Sequence, residues 1–335
     1  MEQIINTMRN SLQREAEQNL LDKENQGNSN LLYEQLRQKA NDIFMWATSS
    51  IEDKNAPIQP LKELIQKLEG EACAPLWNTI IKSLEMEDGL IFNVFGTRGK
   101  YDILTDHATN VAILSLKIGI ATEIYSHNKL IQLGIAALVH DLGMAALPES
   151  IVTHNDNFSE EQTREFIRHV PIGTSVLSGL GEQYNWLATI CHQEHERENG
   201  QGFPAGLEGD QIHHMAKIIG LTDTLESMAH PPLEMSPIDA IQTIITTQKK
   251  LFSLSLVKIL LKELSPFPTG SYVRINSKEI GQIIGSSKNH PLRPTIKIII
   301  DSSGIPLKEA KIVNLKSKPL LYIAGSATQS MLPYF

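Results

Sequence analysis

Between about residue 98 and residue 264 the apolar positions recur at spacings of three and four. His107, Val111, Leu114 and Ile118, at i, i+4, i+7 and i+11, form one such stripe and place His107 on a buried helix face. Residues 1 to about 97 also read as helical segments, with no proline before Pro57. They are interrupted by the polar stretch DKENQGNSN at 22–30, a loop or tether. After Ser265-Pro266-Phe267-Pro268 the period changes. Short β-type runs (SYVRI, GQIIG, TIKIII, KIVNL) alternate with Gly, Asn, Pro and Ser. The predicted fold class is mainly α, a helical bundle with an N-terminal helical region (1–97), a chemistry-bearing helical domain (98–264) and a small C-terminal β module (265–335).

Composition narrows this picture. The chain has 335 residues, 41% of them hydrophobic, enough to bury a sizeable core. Its two cysteines, Cys73 and Cys191, are too few for a disulfide framework, and the N-terminus lacks the apolar stretch of a secretory signal. The longest apolar pieces, such as LGIAALV and IKIII, fall short of the roughly 20 residues that span a bilayer, so a cytoplasmic protein without a membrane anchor is expected. Charge is uneven along the chain. Residues 100–235 carry 18 Asp and Glu against seven Lys and Arg, a formal −11 where the whole chain is −8. Residues 265–320 carry nine basic against three acidic residues. Without interleaved aromatics, that basic tail reads as a solvated face or as a surface docked on the acidic domain, and no nucleic-acid polymer is expected as partner.

Ten of the eleven histidines lie between His107 and His230. In order come His107, the doublet His140-Asp141 at the end of an apolar helical run, His169 before Val-Pro-Ile-Gly, Glu194-His195, the loop Asn199-Gly-Gln-Gly-Phe-Pro204, and Asp223. One histidine on an apolar face is more often a hydrogen-bonded core residue. An ordered set of imidazoles and carboxylates points to metal, and without thiolates it suits iron or manganese, leaving zinc, cobalt, nickel and magnesium open. An aspartate such as Asp141 can bridge two ions. Ions roughly 3.5–4 Å apart hold a phosphoryl group and turn a bridging water into hydroxide, which makes phosphoester hydrolysis the expected chemistry.

These residues resemble the motifs of the HD-GYP domains, a branch of the HD superfamily of metal-dependent phosphohydrolases, and the resemblance runs from about Tyr101 to the end of the chain. It is carried by His140-Asp141-Leu142-Gly143-Met144, by Leu147-Pro148-Glu149-Ser150-Ile151-Val152, and by His169-Val-Pro-Ile-Gly173. It continues through Glu194-His195-Glu196-Arg197-Glu198-Asn199-Gly200-Gln201-Gly202-Phe203-Pro204, Gly209-Asp-Gln-Ile212 and Ile218-Ile-Gly-Leu-Thr-Asp223. In the tail it is carried by Phe267-Pro-Thr-Gly-Ser-Tyr-Val-Arg274 and Leu292-Arg-Pro294.

The resemblance implies an HD-type bundle that hydrolyses cyclic di-GMP to pGpG and GMP at two divalent ions, iron or manganese. It implies His107, His140, Asp141, His169, His195 and Asp223 as ligands, with His140 and Asp141 central to catalysis. Arg197, Gly200, Gly202, Phe203 and Pro204 are the expected substrate-side residues, and Gly200 and Gly202 would let backbone approach a phosphate.

Several positions depart from the family pattern. Glu194 stands where a histidine is usual and is taken as a ligand in its stead, with His192 as the alternative. Met144 replaces a lysine, Phe203 a tyrosine, and His230-Pro231-Pro232 an Arg-Pro-Tyr. The glutamate that would serve a third ion falls at Ile103, while Asp102 and Asp106 read as helix caps. Two other functions fit: a non-catalytic regulator acting through protein contacts of the N-terminal helices or the β tail, and a hydrolase of another phosphoester. A homodimer through the N-terminal helices is a further expectation. No chemistry is assigned to residues 1–97.

Overall fold

The computed structural model describes residues 28–53, 56–86, 89–95, 102–153, 158–230, 233, 235–264, 272–285 and 293–327. Residues 1–27, Tyr101, Pro231-Pro232, the Ser265–Gly270 connection and Leu292 lie outside the described residues.

Four helices precede the histidine-rich segment: α1 (28–50), α2 (Gln59–Glu69), α3 (Ala74–Met86) and α4 (Gly89–Phe95). Then follow α5 (Ile103–Ala121), α6 (His127–Val139), a 3-10 turn over Leu142–Ala146, α7 (Glu149–Val152), α8 (Glu160–Ile167), α9 (His169–Ser178) and α10 (Asn185–Gln193). The helical part ends with α11 (His214–Ala229), α12 (Pro237–Thr246) and α13 (Leu254–Glu263).

Helix α5 is the axis of the bundle. Asp102 caps it by accepting from the Thr105 amide at 2.9 Å, and its residues are buried on nearly every side from Thr105 to Gly119. Helix α6 is similarly apolar. By length and hydropathy the run His127–Ala146 could cross a membrane, but 67% of it is buried inside the molecule, which makes it a core helix.

The core does not stop at residue 98. Tyr33, Leu36 and Ile43 of α1, Leu61 and Ile65 of α2 and Trp77 of α3 belong to one continuous buried cluster with α5, α6, α10, α11 and α13. Trp77 shows the contact most plainly. Its indole nitrogen donates to the Leu68 carbonyl at 2.9 Å, and its ring lies flush on α6, where a Cβ at Gly134 would come within 2.7 Å of it. The four leading helices thus complete the bundle rather than forming a unit with its own core.

The β module is a five-stranded antiparallel sheet in the order β4-β3-β2-β1-β5, with β1 Tyr272–Ile275, β2 Ile280–Gly285, β3 Thr295–Ile300, β4 Pro306–Asn314 and β5 Ile323–Ser326. Val273, Ile275, Ile283, Ile296, Ile298, Val313 and Ile323 form its separate small core. The four β-type runs read in the sequence are four of these strands. The fifth, β5, was not anticipated, because Leu320-Leu321-Tyr322 before it shows no alternation.

Trp77→Ala is expected to destabilise the whole helical part by about 3–5 kcal/mol, in a single thermal transition. A separate early transition of the leading helices would contradict the shared core.

Candidate metal centre

Five segments deliver the candidate ligands, each from a rigid place. His107 stands in the first turns of α5, His140-Asp141 ends α6, His169 opens α9, Glu194-His195 ends α10, and Asp223 lies mid-way along α11. Close backbone packing sets their spacing. A Cβ at Gly143 would collide with the His169 carbonyl, and one at Gly220 with the Glu194 carbonyl, so glycine alone lets the doublet turn meet α9 and α11 meet the end of α10.

The side chains converge in two groups whose donor atoms lie within 4.8 Å of one another: His107, His140, Asp141 and Asp223, and Asp141, His169, Glu194 and His195. Asp141 belongs to both. Its Oδ2 faces His107 Nε2 at 3.5 Å and His140 Nε2 at 3.6 Å, while its Oδ1 faces His169 Nε2 at 3.4 Å. Asp223 Oδ1 completes the first group at 3.3 Å from His107 Nε2.

Proton bookkeeping shows what the site lacks. His140 Nδ1 donates to the Ala137 carbonyl at 2.8 Å and His169 Nδ1 to the Phe166 carbonyl at 2.5 Å. His107 Nδ1 donates to Glu226 Oε2 at 2.5 Å. In its neutral form each ring therefore turns an Nε2 lone pair inward. Those atoms meet in pairs, His107 with His140 at 3.3 Å and His169 with His195 at 2.9 Å. Asp141 Oδ1 and both carboxylate oxygens of Glu194, all buried, find no hydrogen-bond donor among the described residues.

Buried lone pairs and carboxylate oxygens facing one another repel unless a proton or a cation lies between them. Electrostatics agree. Burial, then Asp141 and Asp223, push the Glu194 carboxyl well above the usual carboxylate range. Burial would lower His107, but Glu226, Asp141 and Asp223 outweigh it and raise the imidazole well above its ordinary value. Burial and the neighbouring His169 bring His195 down to about 3, keeping it neutral. The donor set is nitrogen and oxygen throughout, and it fits divalent cations.

Comparison with known proteins agrees with this geometry. Residues 99–254 match the HD domain family, and residues 272–332 match the KOW domain associated with HD domain. A cyclic di-GMP phosphodiesterase of Pseudomonas aeruginosa is 23% identical over 62% of this chain and 50% of its own length. The cyclic di-GMP phosphodiesterase response regulator RpfG of Xanthomonas campestris pv. campestris is 32% identical over 38% of this chain and 35% of its own. Among solved structures, an HDGYP protein from Bdellovibrio bacteriovorus superposes with a TM-score of 0.57 at 16% identity, covering 72% of both chains, and so shares the fold.

The chain carries an HD domain over residues 99–254 and is similar to HD-GYP proteins. It spans half the length of the Pseudomonas relative and less of the Xanthomonas one.

Several residues do other work than their motif suggested. Glu194, not His192, joins the ligand groups. His192 instead has its Nδ1 3.4 Å from the Thr174 hydroxyl. Arg197, expected on the substrate side, gives its guanidinium to the protein: Nη1 donates to the Glu194 carbonyl at 2.8 Å and the Glu196 carbonyl at 3.0 Å, and the head lies over the Phe252 ring at 5.3 Å. A guanidinium held by these carbonyls braces the end of α10 that carries Glu194.

Gly200 has the left-handed φ of +72° that its turn requires. Gly202 presses its bare face on the His195–Arg197 backbone, so its smallness serves packing within the protein. The loop is anchored by Glu196, which sequence reasoning passed over: its carboxylate accepts from the amides of Ala205 at 2.6 Å and Leu207 at 2.8 Å. Pro204 follows a cis bond to Phe203, whose ring stacks on His195 with centroids 4.6 Å apart. Met144 lies in an apolar cluster with Leu147 and Ile151, against Phe158 and Phe166.

Glu226 was also missed. It takes the Nδ1 proton of His107, accepts from Asn110 Nδ2 at 2.8 Å and lies 3.0 Å from His230 Nδ1. Burial would raise its carboxyl, but His107 and His230 hold it well below the usual range. The signal was present in the sequence, since Glu226 is three residues after Asp223 and so on the same face of α11. Such carboxylate–histidine pairs fix ring orientation and ligand basicity. Glu226→Gln is expected to weaken manganese binding about 10–100-fold, read by titration of the metal-free chain. Unchanged affinity would deny Glu226 this role.

Proposed function

We propose that the chain is a metal-dependent phosphodiesterase that hydrolyses cyclic di-GMP to pGpG and GMP. The observation that carries this reading is the pair of donor groups joined through the two oxygens of Asp141. Together they would hold two divalent ions, iron or manganese. His107, His140 and Asp223 with Asp141 Oδ2 would serve one, and His169, Glu194 and His195 with Asp141 Oδ1 the other. Ions in such a setting polarise a phosphoryl group and make water a stronger nucleophile at neutral pH.

The chain's own residues supply the rest. The carbonyls of Ala137 and Phe166 and the Glu226 carboxylate lock His140, His169 and His107 in the tautomer that a ligand needs. Phe158, Phe166 and Phe203, partly exposed beside His169 and His195, offer ring faces on which a guanine base can stack. The surrounding acidic surface gives a dinucleotide's phosphates little other cationic help, so their attraction to the site rests on the ions.

A second reading, a non-catalytic signalling regulator, is favoured by Met144, which puts a buried methionine where the family resemblance calls for a lysine. Both are decided by anaerobic incubation of the iron- or manganese-loaded chain with cyclic di-GMP, against Asp141→Ala. Formation of pGpG or GMP by the parent and a loss of about 100–1000-fold in the variant are expected, the size typical when a group central to charge stabilisation is removed. Metal retention without turnover would favour the regulator, or a different phosphoester substrate.

A further inference from the structure

The leading helix α1, outside the stretch that matches the HD domain family, grips the segment that carries His107. Two of its side chains one turn apart, Tyr33 and Arg37, reach two residues one turn apart on α5, Asp106 and Asn110, and these straddle His107. The Tyr33 hydroxyl donates to Asn110 Oδ1 at 2.7 Å. Asn110 Nδ2 donates to Glu226 Oε1 at 2.8 Å, and Glu226 Oε2 takes the Nδ1 proton of His107 at 2.5 Å. Arg37 forks onto Asp106, whose Oδ2 also accepts from the Asp102 amide at 2.6 Å and so closes the first turn of α5.

The direction of each bond matters. An amide side chain can present either its oxygen or its nitrogen to a neighbour. The Tyr33 proton commits Asn110 to offering oxygen outward and nitrogen to Glu226. Reversed, Asn110 would set a carbonyl against a carboxylate, and Glu226 would lose a donor that fixes its plane. Glu226 in turn holds the His107 ring so that Nε2 faces Asp141 and Asp223. Tyr33 is 1% exposed and Asn110 2%, so water does not substitute for either partner.

We propose that Tyr33 and Arg37 are positioning residues for the metal ligand His107, so that their hydrogen bonds to α5 set the affinity of the His107 group for its ion. The proposal rests on the metal-centre reading above. A signal that lifts α1 would act on one ion and leave the His169 group untouched.

The test is a cobalt(II) titration of the full chain, followed by visible absorption and by cobalt retained after gel filtration, together with thermal melts. The parent, Tyr33→Phe, Arg37→Met and Leu36→Ala are compared. Leu36 lies between the two grips and is fully buried, so its truncation removes apolar packing while the hydrogen bonds of Tyr33 and Arg37 stay in place. Tyr33→Phe removes a single oxygen atom and decides the matter alone should Arg37→Met not fold. The expected result is binding of one of two cobalt ions weakened about tenfold in Tyr33→Phe, with a changed visible spectrum and the other ion unaffected. Leu36→Ala should lower the melting temperature yet keep both affinities within about twofold, since packing loss acts on global stability. Parent-like affinities in Tyr33→Phe, or an equal loss in Leu36→Ala, would overturn the proposal. A parent that takes up no cobalt would overturn the metal-centre reading itself, before any variant is compared.

Discussion

Four imidazoles and three carboxylates are turned toward one another in the middle of this molecule, and the chain gives several of their inward atoms no proton to share. That crowding is costly in itself. Three of the imidazoles have already spent Nδ1 on a carbonyl or on Glu226, so in the neutral form their Nε2 atoms can only accept. The arrangement is held by elements that cannot easily relax: an axis helix buried almost all round, a doublet closed on α9 through Gly143, and an α10 end held to α11 through Gly220. The rest of the bundle serves as the frame that keeps repelling groups together until cations neutralise them.

Charge explains how Glu194 reshapes the site. Three carboxylates set against two divalent ions would leave one net positive charge, where a histidine at position 194 would leave two. Ions held there would be weaker Lewis acids, and such a donor set would favour harder metals. Met144 stands where the family resemblance calls for a lysine and forms part of an apolar wall that continues into Phe158 and Phe166. On the proposed reading, a phosphoester would be held by the ions and ring faces more than by cationic side chains.

The stripe through His107, the His140-Asp141 doublet and the change from helical to β period at residue 265 were legible because each is a local pattern with a short repeat. The ligand set was legible only as an ordered match to a family. What sequence could not show was partnership across distance. Glu226 meets His107 over 119 positions, Asn110 meets Glu226 over 116, and Tyr33 meets Asn110 over 77, and none of these residue types is unusual where it stands. Arg197 shows the same limit, for three residues after Glu194 it turns back on the carbonyls at the end of α10, a contact its motif position did not announce. The leading helices read as a separate region because they carry none of the motif residues, although their apolar faces share the core of the histidine-rich bundle.

The central claim is that two cations occupy the two donor groups on either side of Asp141. Anomalous X-ray scattering from manganese-soaked crystals at the manganese edge tests it most directly. The account predicts two peaks, one bounded by His107, His140 and Asp223 and the other by His169, Glu194 and His195, with Asp141 between them. A structure of the manganese-soaked protein with no peak among these seven side chains, or with manganese bound elsewhere, would contradict it.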